Sequence, residues 1–376
     1  MKEINDIIRA YHKAEAEGKK TALATVVKVE GSSYRQPGAR MLVTEDGELT
    51  GAVSGGCLEG DALKKALLAI HQQQNKLITY DTSNDEDSEF GVQLGCNGIV
   101  HILFEYIDPA SENHPLDLLV KVAEERRDSA MVCLFSLKRG TSQPGTLMFS
   151  NGKQLISSGK ITDALSRDIQ SALDNRNSFV KDTEYESREY EVLVEYIPPA
   201  VSLVIAGAGN DAKPLVEIAS VLGWEITVGD GRHTHATAKR FPLAKTVKVA
   251  AAEEFLEGIA IDDYTFFVLM THNYRYDLTV LKTILGHHNR YIGTLGPKTK
   301  LTRMISDLEQ EGYPVTPEQR DRIYGPVGLD IGAESAEEIA LSIVAEIKAV
   351  LENKKGNSLK YKTEKIHSAT TDNHTI

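Results

Sequence analysis

The spacing of apolar residues divides the chain into two parts with different patterns. In the first part, residues 1–20 place Ile4, Ile7 and Tyr11 on one face, which predicts an amphipathic helix. Residues 21–28 are rich in small and β-branched side chains and predict a strand. The same α+β style continues with strands at 40–44, 76–80 and 98–106, a hairpin turn at 45–47 and a helix at 61–72.

Short motifs recur in the first part of the chain. Three of them occur twice in the same order: Gln-Pro-Gly at 36–38 and 143–145, Asp-Gly or Asn-Gly at 46–47 and 151–152, and LFEYIDPA or LVEYIPPA at 103–110 and 193–200. This matched order predicts that residues 21–107 and 130–197 are two copies of one α+β unit.

From residue 201 onward, buried-type strands alternate with helical segments, which is typical of a parallel, doubly wound sheet. The strand at 201–206 runs into Gly207-Ala-Gly209-Asn-Asp-Ala212, which has the G-x-G-x-x-A form of the dinucleotide-binding loop. A second strand then ends at Asp230, about where an acidic side chain would contact a ribose hydroxyl. The pattern therefore predicts a Rossmann-type unit.

The predicted fold class is α/β: a C-terminal Rossmann-type doubly wound parallel sheet, plus an N-terminal α+β domain made of two related halves. The expected segments are 1–108 for the first α+β unit, 109–199 for its degenerate copy, 200–352 for the Rossmann-type domain and 353–376 for a disordered tail. The degenerate copy lacks cysteines in its loops, so we expect the first copy to carry the chemistry.

Two glycine-rich loops each contain a cysteine. Residues 51–60 read GAVSGGCLEG and include Cys57, and residues 91–98 read GVQLGCNG and include Cys96. Tightly turned glycine backbone exposes N–H groups that bind anions, and a thiolate is a soft ligand and a nucleophile. The third cysteine, Cys133, lies in an apolar run and is expected in a buried strand.

Two further positions in the Rossmann-type part leave alternatives open. Arg232 lies just after Asp230 and could contact a phosphate or be a solvated surface residue. His272 follows the strand at 264–269, at the sheet edge where ligands bind in such folds. Its neighbours could instead form a capping cluster in which Asn273 or Asp277 begins a helix.

Charge and composition exclude some classes of function. The net charge of −12 argues against nucleic acid or an anionic membrane as the main partner. Three widely spaced cysteines do not resemble a disulfide framework and fit a reducing compartment. We see neither a signal peptide nor an 18-residue apolar run, and we therefore expect a cytoplasmic protein.

These motifs together resemble the XdhC/CoxI family, the accessory proteins of xanthine dehydrogenase and related molybdenum hydroxylases. The motifs that carry the resemblance are GSSYRQPGAR at 31–40, GAVSGGCLE at 51–59, GCNG at 95–98, GAG at 207–209, Thr271-His272, YIGTLG at 291–296 and PVGLDIGA at 326–333. One departure is Asn97, which stands where the family pattern has a glycine, although asparagine tolerates a left-handed turn.

The resemblance implies a chaperone role rather than turnover: binding the molybdenum cofactor, protecting it during sulfuration and delivering it to an apo-hydroxylase of purine catabolism. A cysteine desulfurase is a second implied partner, and a homodimer is the default assembly. The residues expected to bind molybdopterin or a nucleotide are Arg35, Arg40, Ser54, Gly55, Gly56, Cys57, Glu59, Gly95, Cys96, Gly207, Gly209, Asn210, Asp230, Arg232 and His272.

Within that set, Cys57 and Cys96 are the candidates for contact with molybdenum or sulfur. Arg35 and Arg40 could pair with an anionic pterin substituent, or form surface ion pairs. Glu59 could accept a proton near Cys57, but we favour a role as a charge at a helix N-terminus. We expect the thiols and the phosphate-binding loop to face one pocket.

Two other functions remain open from the sequence. One is an NAD(P)-dependent oxidoreductase that uses the Rossmann-type part, with His272 as proton donor. The other is a nucleotide-binding regulatory module whose N-terminal part only docks a partner. Nicotinamide binding with hydride transfer would favour the first, and nucleotide binding that is indifferent to both loop cysteines would favour the second.

Overall fold

The structure is a computed structural model that describes residues 1–81 and 98–363. The chain divides into two compact units between Pro199 and Ala200, and each unit is described by itself. The predicted fold class is confirmed: antiparallel sheets form the first unit and a six-stranded parallel sheet forms the second.

The first half of the first unit is a five-stranded antiparallel sheet in the order β3-β2-β1-β5-β4. Its elements are α1 (Lys2–Ala16), β1 (Thr21–Gly31), β2 (Arg40–Thr44), β3 (Leu49–Gly51), α2 (Glu59–Gln72), β4 (Lys76–Asp81) and β5 (Gly98–Ile107). Helix α2 packs on one face of this sheet through Ala62, Ala66 and Ala69, whose small side chains allow close approach.

The second half repeats this arrangement, with strand order β8-β7-β6-β10-β9. Its elements are α3 (Pro115–Glu124), β6 (Ser129–Phe135), β7 (Gly145–Ser150), β8 (Leu155–Ser157), α4 (Asp163–Asn175), β9 (Phe179–Tyr185) and β10 (Arg188–Ile197). Each strand of the first half therefore has a counterpart in the second half with a strand number higher by five, so that β1 corresponds to β6 and β5 to β10. Local details match as well, since α2 and α4 both end in a left-handed residue, Gln73 and Arg176, with φ of 51° and 49°.

The two halves of the first unit are joined by a reciprocal contact between glutamates and glycines. A side chain on Gly38 would meet Glu195 of the second half at 2.5 Å, and one on Gly145 would meet Glu105 of the first half at 2.4 Å. Both glycines have positive φ, 94° and 85°, which only glycine adopts without strain. The recurring Gln-Pro-Gly and LxEYI motifs are thus the two partners of one contact, made twice.

The second unit has strand order β13-β12-β11-β14-β15-β16, all parallel, which is the 3-2-1-4-5-6 order of a Rossmann fold. Its elements are β11 (Ser202–Ala206), α5 (Ala212–Val221), β12 (Glu225–Asp230), β13 (Thr246–Val249), β14 (Thr265–Leu269), α6 (Tyr274–Leu285), β15 (Tyr291–Thr294), α7 (Lys298–Gln310), α8 (Pro317–Asp321), β16 (Ile323–Tyr324), α9 (Ala336–Leu351) and the 3-10 turn Leu359–Tyr361.

Helices cover both faces of the parallel sheet. Helices α5 and α9 pack on one face, and their shared core includes Leu215, Ile343 and Ile347. Helices α6 and α7 cover the other face. Helix α9 begins with a capping box between Ser335 and Glu338. The carboxyl ends of β11, β12, β14 and β15 consequently lie along one edge of the sheet, where the predicted ligand-binding residues follow them.

Candidate functional site

The cysteine loop of the first unit is organised by one hydroxyl group. Ser54 Oγ accepts hydrogen bonds from three backbone N–H groups, those of Gly56, Cys57 and Leu58, at 3.2, 3.1 and 3.0 Å. The Ser54 hydroxyl in turn donates a hydrogen bond to the carboxylate of Glu59. The hydroxyl oxygen therefore occupies the position at which a loop of this kind would hold an anion.

We expect the glycine N–H groups around Cys57 to bind a ligand's phosphate. In the structure the N–H groups of Gly56 and Cys57 are bonded to Ser54, so a phosphate would have to replace that hydroxyl to reach them. Glu59 is the first residue of α2, and its carboxylate accepts from Ser54 N at 2.9 Å. A carboxylate placed at a helix N-terminus interacts favourably with its dipole, which is the role we favoured for Glu59.

The thiol of Cys57 remains exposed at this rigid turn, two residues before α2. Gly56 has a φ of 106°, and a side chain on Gly55 would meet the ring of Tyr34 at 3.2 Å. Glycine at these positions lets the loop turn sharply and lie under an aromatic ring. The structure thus presents an exposed cysteine on a hydrogen-bonded loop beside the 31–38 turn. The other cysteine loop, with Gly95 and Cys96, lies outside the described residues.

The two predicted anion-binding arginines have very different surroundings. Arg35 is part-exposed and pairs with Glu3 of α1. Arg40 is buried, donates to Gly38 O at 2.9 Å and forms a two-pronged ion pair with Glu195. It is neither a surface residue nor a free cation, and a pterin anion could bind it only by breaking that pair.

Arg40 belongs to a cluster of charged and thiol groups between the two sheets of the first unit. Glu105 is 1% exposed and accepts from Thr146 N at 2.6 Å and Thr146 Oγ1 at 2.9 Å. Burial raises the pKa of Glu105 and also that of Cys133. Burial disfavours the charge of Arg40, yet the neighbouring Glu195 gives a net rise in the pKa of Arg40. Cys133 lies in a buried strand, as predicted.

In the second unit, the predicted glycine loop has the expected position after β11. Gly207 has a φ of 131°, and a side chain there would lie 2.4 Å from the carbonyl oxygen of Met270. Gly207 thus permits close packing of two loops at the sheet edge. Asn210 is held by Arg240, whose guanidinium also donates to the carbonyl of Ala208 at 2.7 Å. Sequence reasoning missed Arg240, which has no motif to mark it.

The residue predicted to contact a ribose, Asp230, is fully engaged by the protein itself. It is 3% exposed, and its two oxygens accept from Ala208 N, Arg232 N, Arg232 Nε and Arg232 Nη2 at 2.7–2.9 Å. Although burial opposes ionisation, the hydrogen bonds from Arg232 and Ala208 lower the pKa of Asp230. In this arrangement Asp230 orients Arg232, whose side chain is 47% exposed.

The space next to Gly209, the second glycine of the loop, is also occupied by a group of the protein, the carboxylate of Asp211. A side chain on Gly209 would lie 2.2 Å from Asp211 Oδ1, and Asp211 Oδ2 pairs with His272 Nε2 at 2.7 Å. His272 adopts a left-handed backbone with φ of 59°, which is uncommon for a residue with a side chain. An acidic group over Gly209 repels a bare phosphate there. Asn273 caps α6, which confirms the capping alternative for this segment.

A buried ion pair that the sequence did not reveal lies beside His272. Asp277 is 0% exposed; its carboxylate accepts from Thr271 and from Lys300 Nζ, the latter at 2.7 Å. Lys300 also donates to the carbonyl of Leu295 at 2.8 Å. The pair fixes the loops that follow β14 and β15. Sequence spacing of 23 residues gives no sign of it.

Within the described ranges, the structure contains no group of three or more His, Cys, Asp and Glu side chains placed to hold a metal ion. Across the same ranges, no helix combines the length and the apolar character needed to cross a membrane.

Comparison with known proteins shows which family this chain belongs to. The sequence profile of the XdhC and CoxI family matches residues 14–81, and that of the XdhC Rossmann domain matches residues 203–347. A protein of Bacillus subtilis (strain 168), named as a probable xanthine dehydrogenase subunit, is 32% identical over 330 residues, covering 86% of this chain and 91% of the relative. The chain belongs to the XdhC and CoxI family.

Two other relatives agree with this assignment. A crystal structure described as a xanthine dehydrogenase from Bacillus halodurans is 30% identical and superimposes with a TM-score of 0.74, covering 94% of this chain and 98% of the other. The molybdenum cofactor insertion chaperone PaoD of Escherichia coli (strain K12) is 24% identical over 353 residues, which is 92% of this chain and 87% of PaoD. The resemblance read from the sequence is confirmed.

Proposed function

We propose that this protein is an accessory chaperone that binds the molybdenum cofactor as cargo, assists its sulfuration and delivers it to an apo-hydroxylase of the xanthine dehydrogenase type. Membership of the XdhC and CoxI family supports the cofactor, since one relative is named for its insertion. The observation that carries the proposal is the exposed thiol of Cys57 on a loop fixed by Ser54.

The chemistry of that loop fits the cargo. Molybdopterin presents a sulfur-bound metal, and a thiolate is a ligand that suits such a soft centre. Because Ser54 and Glu59 already bond backbone N–H groups of the loop, the backbone that carries the sulfur is ordered before the cargo arrives. Preorganisation of this kind lowers the ordering cost of binding. Tyr34, 68% exposed over Gly55, offers an aromatic face for the pterin ring.

The partners follow from the same proposal. The recipient is an apo-hydroxylase related to xanthine dehydrogenase, the sulfur donor is a cysteine desulfurase, and the chaperone acts as a homodimer in the cytoplasm. The cysteine loop at Gly95 and Cys96 would supply the second thiol. Arg35 is the candidate for the pterin's anionic group, because its partner Glu3 is itself part-exposed and the pair can open.

The Rossmann unit by itself does not support the alternative of an NAD(P)-dependent oxidoreductase. Its acidic residue, Asp230, makes its contacts with Arg232 and Ala208, and the carboxylate of Asp211 lies over Gly209, where a dinucleotide phosphate would bind. Within this unit, we propose Arg232 as the group that contacts an anion, because Asp230 holds its exposed guanidinium in place.

The test is cofactor capture by a cysteine variant. Wild-type protein and Cys57→Ser would each be co-expressed with the molybdenum cofactor pathway and purified. Bound molybdenum would be measured by mass spectrometry, and bound pterin by fluorescence after oxidation. We expect Cys57→Ser to retain about one tenth of the wild-type cofactor or less, because the serine hydroxyl is a poor ligand for a soft metal.

The matched control is Cys133→Ser, which removes the buried thiol and leaves the exposed one. It should capture cofactor as the wild type does, once the amount of folded protein is equalised. Equal capture by Cys57→Ser and wild type would remove the cysteine mechanism. Failure of wild-type protein to capture any cofactor would remove the proposed function itself.

A further inference from the structure

The first unit contains a large polar cleft that no motif predicted. Its volume is about 1350 Å³, and it lies between the α2–β4 segment of the first half and the β6–β7 loop of the second half. The lining residues are Gln73, Gln74, Asn75, Lys76, Leu77, Ile78, Thr79, Tyr106, Asp108, Ser136, Leu137, Lys138, Arg139, Gly140, Thr141, Ser142 and Gln143. Hydroxyls, amides and cations dominate, which is the lining of a site for a hydrophilic anion.

The charge of this cleft is opposite to that of the whole chain. Among residues 1–81 and 98–363, three cations line it, Lys76, Lys138 and Arg139, against one carboxylate, Asp108. Lys138 is partnered by Glu189 at 2.6 Å in an exposed ion pair. Among the described residues, Lys76 and Arg139 form no ion pair. In a protein with a net charge of −12, two cations that have no ion-pair partner among the described residues therefore line one cleft.

The cleft is also held in shape before any ligand binds. Gln143 accepts from Ser136 N at 2.8 Å and donates to the carbonyls of Ser136 and Thr141 at 3.0 and 3.2 Å. From the other wall, Asn75 donates to the carbonyl of Gln143 at 3.1 Å and accepts from Tyr106 N at 3.2 Å. These bonds tie the two walls together and fix the loop on which Arg139 lies. A preformed site binds with less loss of entropy.

We propose that this cleft is a binding site for a small molecule that bears a phosphate group. Lys76 and Arg139 bind the phosphate oxygens from opposite walls, and the hydroxyls of Thr141 and Ser142 lie on the same loop as Arg139. The volume accommodates a nucleotide or a phosphorylated pterin. The second half thus contributes Arg139, Thr141 and Ser142 to a binding site that it shares with the first half, and this proposal does not depend on cofactor capture by Cys57.

The test is calorimetric titration of the full chain with inorganic pyrophosphate at low and moderate salt. We expect saturable binding that Arg139→Glu weakens about tenfold or more, because it replaces a charge-assisted contact with a repulsion. The matched control is Lys153→Glu, the same change of charge on an exposed turn of the second half, outside the cleft. It should bind pyrophosphate as the wild type does.

Location is tested by lysine acetylation followed by mass spectrometry. Pyrophosphate should protect Lys76 and leave Lys153 unprotected. Equal weakening by Arg139→Glu and Lys153→Glu would mean that general charge, and not the cleft, attracts the anion. Unchanged binding in both variants, with Lys76 unprotected, would place the anion elsewhere, including the Rossmann unit. Absence of binding in wild type would also overturn the proposal.

Discussion

The reciprocal contact between the halves of the first unit gives a quantitative prediction for Gly145→Ala. A methyl group at this position would lie 2.4 Å from Glu105 Oε1 on a backbone with φ of 85°. A left-handed backbone costs a non-glycine residue about 1–2 kcal/mol. Displacing the buried Glu105 carboxylate would also weaken its bonds from Thr146, and hydrogen bonds to charged groups contribute roughly 1.5–3 kcal/mol each. We expect a total loss of about 3–6 kcal/mol.

The chain supplies a control that separates the two causes. Gly152 also has a positive φ, 77°, but a side chain there would meet nothing within 4 Å. Gly152→Ala should therefore lose about 1–2 kcal/mol from backbone strain alone. The difference between the variants, about 2–4 kcal/mol, measures the contact with Glu105.

The assay must report on the first unit. The single tryptophan, Trp224, lies in the second unit, so its fluorescence follows the wrong part of the molecule. Amide hydrogen exchange in β6 and β10, measured against urea concentration, reports directly on opening of the second half. Protection should fall about 30-fold or more further in Gly145→Ala than in Gly152→Ala. Equal loss in the two variants would refute the reasoning.

Two further predictions concern buried charges. Arg40→Leu leaves the carboxylate of Glu195, which is only 12% exposed, without its partner and should destabilise the first unit by about 3–5 kcal/mol. Adding Glu195→Gln should recover most of that loss in the same exchange assay. Because the pKa of Asp230 is lowered in the fold, its contribution to stability is present above its unfolded value near 3.8 and is lost as pH falls further. The free energy of unfolding of the second unit, followed by Trp224 fluorescence, should therefore fall less steeply with decreasing pH in Asp230→Asn than in the wild type. An equal slope in the two proteins would contradict the assignment.

The sequence predicts elements and their order well in this protein, because periodicity and turn residues are local signals. The two halves, the Rossmann order and the capping box of α9 all follow from such signals. Side-chain partners are a different matter, because they depend on residues far apart in the chain. Arg40 is the clearest case: its motif suggests a ligand contact, but its partner Glu195 lies 155 residues away.

Motif positions can also be occupied by the protein itself. Ser54 fills the anion position of the cysteine loop, and Asp211 lies over the second glycine of the Rossmann loop. A pattern of glycines cannot reveal this, because it specifies backbone shape and leaves open which oxygen atom occupies the resulting space. The cleft around Arg139 was missed for a related reason: its cations come from separate segments, and each alone is an ordinary surface residue.

The contacts of Glu105 and Glu195, each with the opposite half, also determine whether the first unit can be divided into two fragments. A fragment that stopped at residue 108 would keep Arg40 but lose Glu195, and would expose the wall that Thr146 covers. Such a fragment also exposes to water the apolar side chains Val27 and Leu103, which pack against Cys133, Phe135 and Leu193 of the second half. Expression of either half in isolation should give insoluble protein, and mixing the two should restore a soluble pair. The duplicated halves behave, in this respect, as the two members of a dimer that share one polypeptide.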